Sequence, residues 1–194
     1  VILSNINMQD IFLAKYDSAG SILWSRSFTG PNDDIVTSME IYGDSLYLGG
    51  YFLDSLNYGT GNLYSQTAIA GFLIKLSNIN GQGANVMEFT SASSVFAKVI
   101  DLEVDRFSGD LYVLGVFQGA FQFPNTGNVF TSSATNTFFA KYSPWFQNFW
   151  NFTLGDNIYG NYPLSLELDR MNNPVIAGNL DFDFNSNPRN ENNN

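Results

Sequence analysis

Three five-residue segments alternate apolar and polar positions about a central glutamate. They are Ser38-Met39-Glu40-Ile41-Tyr42, Asp101-Leu102-Glu103-Val104-Asp105 and Ser165-Leu166-Glu167-Leu168-Asp169. At a period of two, the apolar residues share one face of a strand and the glutamate points to the other. After a short polar turn, each is followed by a more continuously apolar run. These runs are Leu46-Tyr47-Leu48-Gly49-Gly50-Tyr51-Phe52, Leu111-Tyr112-Val113-Leu114-Gly115-Val116-Phe117 and Pro174-Val175-Ile176-Ala177-Gly178-Asn179-Leu180. Each pair reads as two strands joined by a hairpin turn.

The same spacing recurs upstream. Phe12-Leu13-Ala14-Lys15-Tyr16 returns as Phe72-Leu73-Ile74-Lys75-Leu76 and as Phe138-Phe139-Ala140-Lys141-Tyr142, at offsets of 60 and 66 residues. Trp24 and Trp150 each lie nine residues beyond the lysine of their copy. The middle copy has no such tryptophan and carries extra residues, Asn80 to Ala84, at the following turn. Late in the first two copies, Leu56 to Tyr64 parallels Phe121 to Phe130, so the long connector is expected to hold a small hairpin. Each unit therefore reads as four strands and a connector, with no helical periodicity. The expected fold is all-β and β-propeller-like, with three four-stranded antiparallel blades of 60 to 66 residues at about 9–68, 69–134 and 135–185. The repeat domain spans 1–185, and 186–194 form an Asn-rich tail expected to be flexible. Propellers take about four to eight blades, so three would not close a ring.

Asp10-Ile11-Phe12-Leu13-Ala14-Lys15-Tyr16-Asp17, with Gly20, Leu23-Trp24, Asp33-Asp34 and Tyr47 to Gly50, resembles the repeat of the bacterial seven-bladed β-propeller family found in secreted and surface proteins. The resemblance covers roughly residues 9–180 and implies an extracellular, noncatalytic scaffold or binding role. It carries over no catalytic residue.

Composition narrows the chemistry. The chain has no Cys and no His, which removes thiolate nucleophiles, disulfides, imidazole bases and nearly all zinc, copper or haem sites. No cofactor is expected. A net charge of −10 argues against nucleic acid and anionic membrane surfaces as partners, and no apolar run is long enough to insert into a bilayer. The expected partners are proteins, including further copies of this chain in an oligomer or filament, or glycans. Aromatics at 16% and 17 Gly suit short strands and tight turns.

Among candidate site residues, Lys15, Lys75 and Lys141 and Glu40, Glu103 and Glu167 occupy repeat-equivalent positions and are expected to form structural ion pairs. Trp145, which follows Pro144 and does not recur, is the candidate exposed aromatic for binding. Asn151-Phe152-Thr153 makes Asn151 the glycosylation candidate. Asp33 with Asp34, and Glu103 with Asp105, are the carboxylate pairs a glycoside-cleaving site would need. Asp101, Asp105 and Asp110 are oxygen donors near one loop, without the alternation and central Gly of an EF-hand, and read as turn formers rather than a calcium site. The leading expectation is a noncatalytic extracellular or cell-surface interaction module, with a carboxylate-dependent carbohydrate-active enzyme as the alternative.

Overall fold

Runs of Phe, Tyr, Val and Ile separated by Gly- and Asn-bearing turns leave little but strand for this chain to form. A computed structural model describes residues 8–65, 68–83, 85–90, 93–155 and 160–180. The expected tail, 186–194, lies outside the described residues. Among the described residues there are fourteen strands: β1 (Ile11–Tyr16), β2 (Ile22–Phe28), β3 (Asp34–Tyr42), β4 (Ser45–Phe52), β5 (Ser55–Asn57), β6 (Asn62–Tyr64), β7 (Ala70–Ser77), β8 (Asn85–Phe89), β9 (Ser93–Val104), β10 (Leu111–Gln122), β11 (Val129–Tyr142), β12 (Asn148–Leu154), β13 (Asn161–Leu168) and β14 (Pro174–Leu180). The protein is all-β and its ladders are antiparallel.

The sheets do not follow the sequence repeat. Each sequence unit was expected to fold into one four-stranded sheet, yet β1–β2 and β3–β4 lie in different sheets. The two four-stranded sheets are β3-β4-β7-β8 and β9-β10-β11-β12, so each joins the last two main strands of one repeat to the first two of the next. Among the described residues, β1–β2 and β13–β14 are two-stranded. The reason lies in the apolar runs of β4 and β10. Both are buried on nearly every residue, and a strand covered on both faces needs a neighbour on each edge. The connector hairpin is present as β5–β6 in the first copy. In the second it is the continuation of β10 and β11, where Phe121 pairs with Phe130.

Three apolar clusters fill the spaces between successive sheets. Ile11, Leu13 and Phe28 pack with Leu46, Leu48, Phe72 and Ile74. Tyr47, Leu73 and Phe89 meet Val99, Leu102, Val113 and Phe138. Tyr112, Leu114 and Phe139 meet Leu166, with Leu168 and Ile176 at the margin. Alternate residues of one strand thus serve opposite interfaces: Leu46 and Leu48 face back along the chain, and Tyr47 faces forward. Ring stacking concentrates at Phe138, 4.8 Å from Phe121 and 5.3 Å from Phe89.

Side-chain hydrogen bonds repeat across the same interfaces. The Leu102 amide donates to Ser38 Oγ at 3.2 Å, and one interface later the Leu166 amide donates to the carboxylate of Asp101 at 2.8 Å. Ser38 and Asp101 are repeat-equivalent, so one position tethers each sheet to the next whether it holds a hydroxyl or a carboxylate.

Candidate functional site

The recurrent charges fall into cross-strand rows. Tyr47 pairs with Glu40 on β3 and with Lys75 on β7, while Tyr112 pairs with Glu103 on β9 and with Lys141 on β11. Each glutamate and lysine therefore share a face but stand two strand spacings apart, about 10 Å, with a tyrosine between them. The expected ion pairs do not form. The lysines instead approach the tyrosine rings, Lys75 at 5.5 Å and Lys141 at 5.0 Å from the centroids. Lys15 Nζ donates to the Asn78 carbonyl at 2.8 Å, and Lys75 Nζ to the Pro144 carbonyl at 3.1 Å, each reaching the corresponding turn one sheet further on. Among the described residues the ion pairs are Arg106 with Glu40 at 2.6 Å and Lys141 with Asp110 at 3.1 Å. Arg106 recurs as Arg170 in the third copy, but the first copy has Gly43 there, so the position is not marked in all three repeats.

Glu40, Glu103 and Glu167 lie on β3, β9 and β13, which pack in that order. Glu103 is pushed up to about 7, first by burial and then by the charges of Glu40 and Glu167, with Asp101 adding and Arg106 opposing. Burial also raises Glu40, and the Arg106 guanidinium works against it. Asp105, two residues beyond Glu103, is held below the ordinary range: burial opposes its charge, but the amides of Phe107 and Ser108 at 2.8 and 3.2 Å outweigh it. Two carboxyls on one strand end are thus tuned in opposite directions.

Asp34 opens β3 and is buried, with both carboxylate oxygens unpartnered. Desolvation raises it to about 7, and Asp10 and Asp33 contribute. Adjacent Asp33 accepts the Gln9 amide at 3.1 Å. Asp34 is opposite Phe52, as Ala97 is opposite Phe117 and Asn161 opposite Leu180, so it occupies a repeat position. The variety of Asp, Ala and Asn there conceals the equivalence in sequence. Glu88, which no sequence mark singles out, is likewise raised to about 7 by burial.

The three loop aspartates do not converge. Asp101 ties β9 to Leu166, Asp105 binds its own turn and the Asn172 side chain at 3.1 Å, and Asp110 pairs with Lys141. Among the described residues no group of three acidic side chains is arranged to hold a metal.

Trp145 is 76% exposed at the turn between β11 and β12. Its neighbour Phe146, at a φ of 66°, turns inward to pack on Tyr47 at 6.5 Å. Lys75 sits 4.2 Å from the Trp145 ring centroid, leaving the indole standing over a neighbouring sheet. Trp24 Nε1 donates to the Asn78 carbonyl, and Asn80 and Gly81 of the middle copy's extra residues lie against β2, where Arg26 reaches the Asn80 carbonyl at 2.7 Å. Trp150 packs on Tyr112, Phe139 and Phe152 in its own sheet. Asn151 is half-buried on β12. Its amide donates to Asn148 at 2.9 Å and its carbonyl accepts from Asn128, while Thr153 is buried.

Comparison with family models and with curated proteins found no match to this chain.

Proposed function

We propose that the protein is a noncatalytic, extracellular scaffold of β-propeller type, whose sheets are blades and whose turns hold protein or glycan partners. The observation that carries the reading is the use made of the recurrent polar residues. Lys15 and Lys75 each bind the equivalent turn of the next sheet, and Ser38 and Asp101 each accept an amide from it. Such links propagate a repeat array. Trp145 supplies a flat apolar surface for a partner, fixed in place by Lys75. Titration calorimetry against immobilisable glycans and candidate surface proteins tests the reading. Binding lost in Trp145→Ala with unchanged thermal stability supports it, and binding indifferent to that change refutes the assigned surface.

A second reading, a carboxylate-dependent carbohydrate-active enzyme, is favoured by the opposite tuning of Glu103 and Asp105. Turnover of chromogenic glycosides that disappears in Glu103→Gln would replace the first reading with this one.

A further inference from the structure

Among the described residues, β13–β14 and β1–β2 correspond in the repeat to the first two and the last two strands of a complete sheet. In the complete sheets the second strand pairs with the third: Gly50 of β4 lies opposite Phe72 of β7, and Gly115 of β10 opposite Phe138 of β11. There is no room for a side chain at these glycines: a Cβ on Gly50 would meet the Ile35 carbonyl at 2.0 Å and Phe72 Cζ at 2.7 Å, and one on Gly115 would meet Phe138 Cζ at 2.1 Å and the Lys98 carbonyl at 2.4 Å. In the repeat β14 corresponds to β4 and β10, and β1 to β7 and β11. Gly178 holds the same position, closed by the Tyr162 carbonyl at 2.5 Å as Gly50 is by that of Ile35, but with no ring among its nearest atoms, and Phe12 is the repeat's counterpart of that ring. Among the described residues β14 pairs with β13 and β1 with β2, so the facing edges of both are open. Phe72 and Phe138 are fully buried, yet Phe12 is 63% exposed.

A second surface points the same way. Val36, Met39 and Ile41 on β3 are 37%, 51% and 41% exposed, while their equivalents on β9, Val99, Leu102 and Val104, are 0 to 1% exposed. The β9 residues are covered by β3, β4 and β7 of the preceding sheet. On β3 the corresponding space is an open groove of about 330 Å³, lined by Phe12, Leu13 and Ala14 on one side and Val36, Thr37 and Met39 on the other. A two-stranded hairpin with the geometry of β3–β4 would fill it, and β13–β14 is that hairpin.

We propose that β13–β14 of one copy of this chain adds to the edge of β1 in a second copy, completing a four-stranded sheet head to tail. The proposal rests on the scaffold reading and specifies its surface. The register follows from the complete sheets: Val175 opposite Lys15, Ile176 opposite Ala14, Ala177 opposite Leu13 and Gly178 opposite Phe12. The tyrosine of the charged rows is replaced by Val175, so the row through Lys15 reads Glu167, Val175, Lys15, Trp24. The contact is heterologous, with each copy presenting a donor hairpin and an acceptor groove, and repeated addition makes chains or a closed ring rather than a symmetric pair.

The chain contains no cysteine, so single thiols report the register directly. Mixing the Lys15→Cys and Val175→Cys chains under mild oxidation is expected to give a disulfide-linked heterodimer. Ala14→Cys, one residue along and on the opposite face, is expected to give none with Val175→Cys. Phe12→Asp, at a position exposed in the single chain and so of little consequence for its folding, is expected to weaken association about tenfold or more in light scattering. Equal cross-linking at positions 14 and 15, or no cross-link with a monomeric mass at every concentration, overturns the proposal. So does an internal disulfide within a monomer of the Lys15→Cys/Val175→Cys chain. None of these outcomes touches the scaffold reading, which falls instead on glycoside turnover that needs Glu103.

Discussion

Asp34→Asn is the most informative single change. The carboxyl is 2% exposed with neither oxygen partnered, and burial, assisted by Asp10 and Asp33, raises it from 3.8 to about 7. A folded state that holds this proton roughly a thousandfold more tightly than the unfolded chain loses up to ~4 kcal/mol when the proton leaves. Relaxation and water entry reduce that to about 2–4 kcal/mol. The sign follows from linkage. Between about pH 4 and about pH 7 the folded chain binds more protons than the unfolded one, so this group's contribution to stability falls as pH rises and stays low above it. Asparagine keeps the shape without the charge, and Asn161 already fills the equivalent position, bonded to Asn136 and the Leu154 carbonyl. Urea unfolding of both chains at about pH 4 and about pH 8 separates the effect, because Glu88 and Glu103 titrate alike in the two and cancel. Asp34→Asn is expected to match the parent near pH 4 and to exceed it by about 2–4 kcal/mol near pH 8. A gain independent of pH, or a loss near pH 8, would refute the reasoning that Asp34 is a buried, unpartnered acid.

Other expectations follow from the interfaces. Phe138→Ala removes a fully buried ring stacked on Phe89 and Phe121 and should cost about 3–5 kcal/mol in urea unfolding. Asp101→Ala leaves the Leu166 amide without its carboxylate, costing about 1–3 kcal/mol, and amide exchange should quicken in β13 before it does in β10. Trp145→Ala forfeits a cation–π contact with Lys75 worth about 0.5–1 kcal/mol, so its melting temperature should scarcely move.

The sequence marks were read correctly as strands, since period-two patterning and the Phe-x-x-Lys segments carry strong local information. Their grouping was not legible, because hydrogen bonds between β4 and β7 join residues of different repeats. A run such as Leu46 to Gly50, apolar on both faces, records that a strand needs two neighbours but not which ones. The charged set failed for a related reason. Recurrence of Lys75 with Lys15 and Lys141, and of Glu40 with Glu103 and Glu167, says that both positions matter structurally, while the intervening strand with Tyr47 is visible only in the register. Trp145 was legible as exposed because it sits alone in a turn beside Pro144, whereas the inward turn of Phe146 depends on a left-handed backbone that nothing in its residue type announces. Asp34 was legible as an acid in a turn, but its burial depends on the folded turn, where its carboxylate lies against Gly30, its amide donates to the Gln9 carbonyl and it stands opposite Phe52.

The offset between repeat and sheet is tested most directly by hydrogen exchange read at individual amides in dilute and concentrated protein. The structure predicts strong, concentration-independent protection of β4 and β7 together, with the open edges of β1 and β14 exchanging fast when dilute and slowing as copies add to one another. Protection in which β1 to β4 behave as one unit and β7 belongs to the next would contradict it, and the sheets would then follow the sequence repeat.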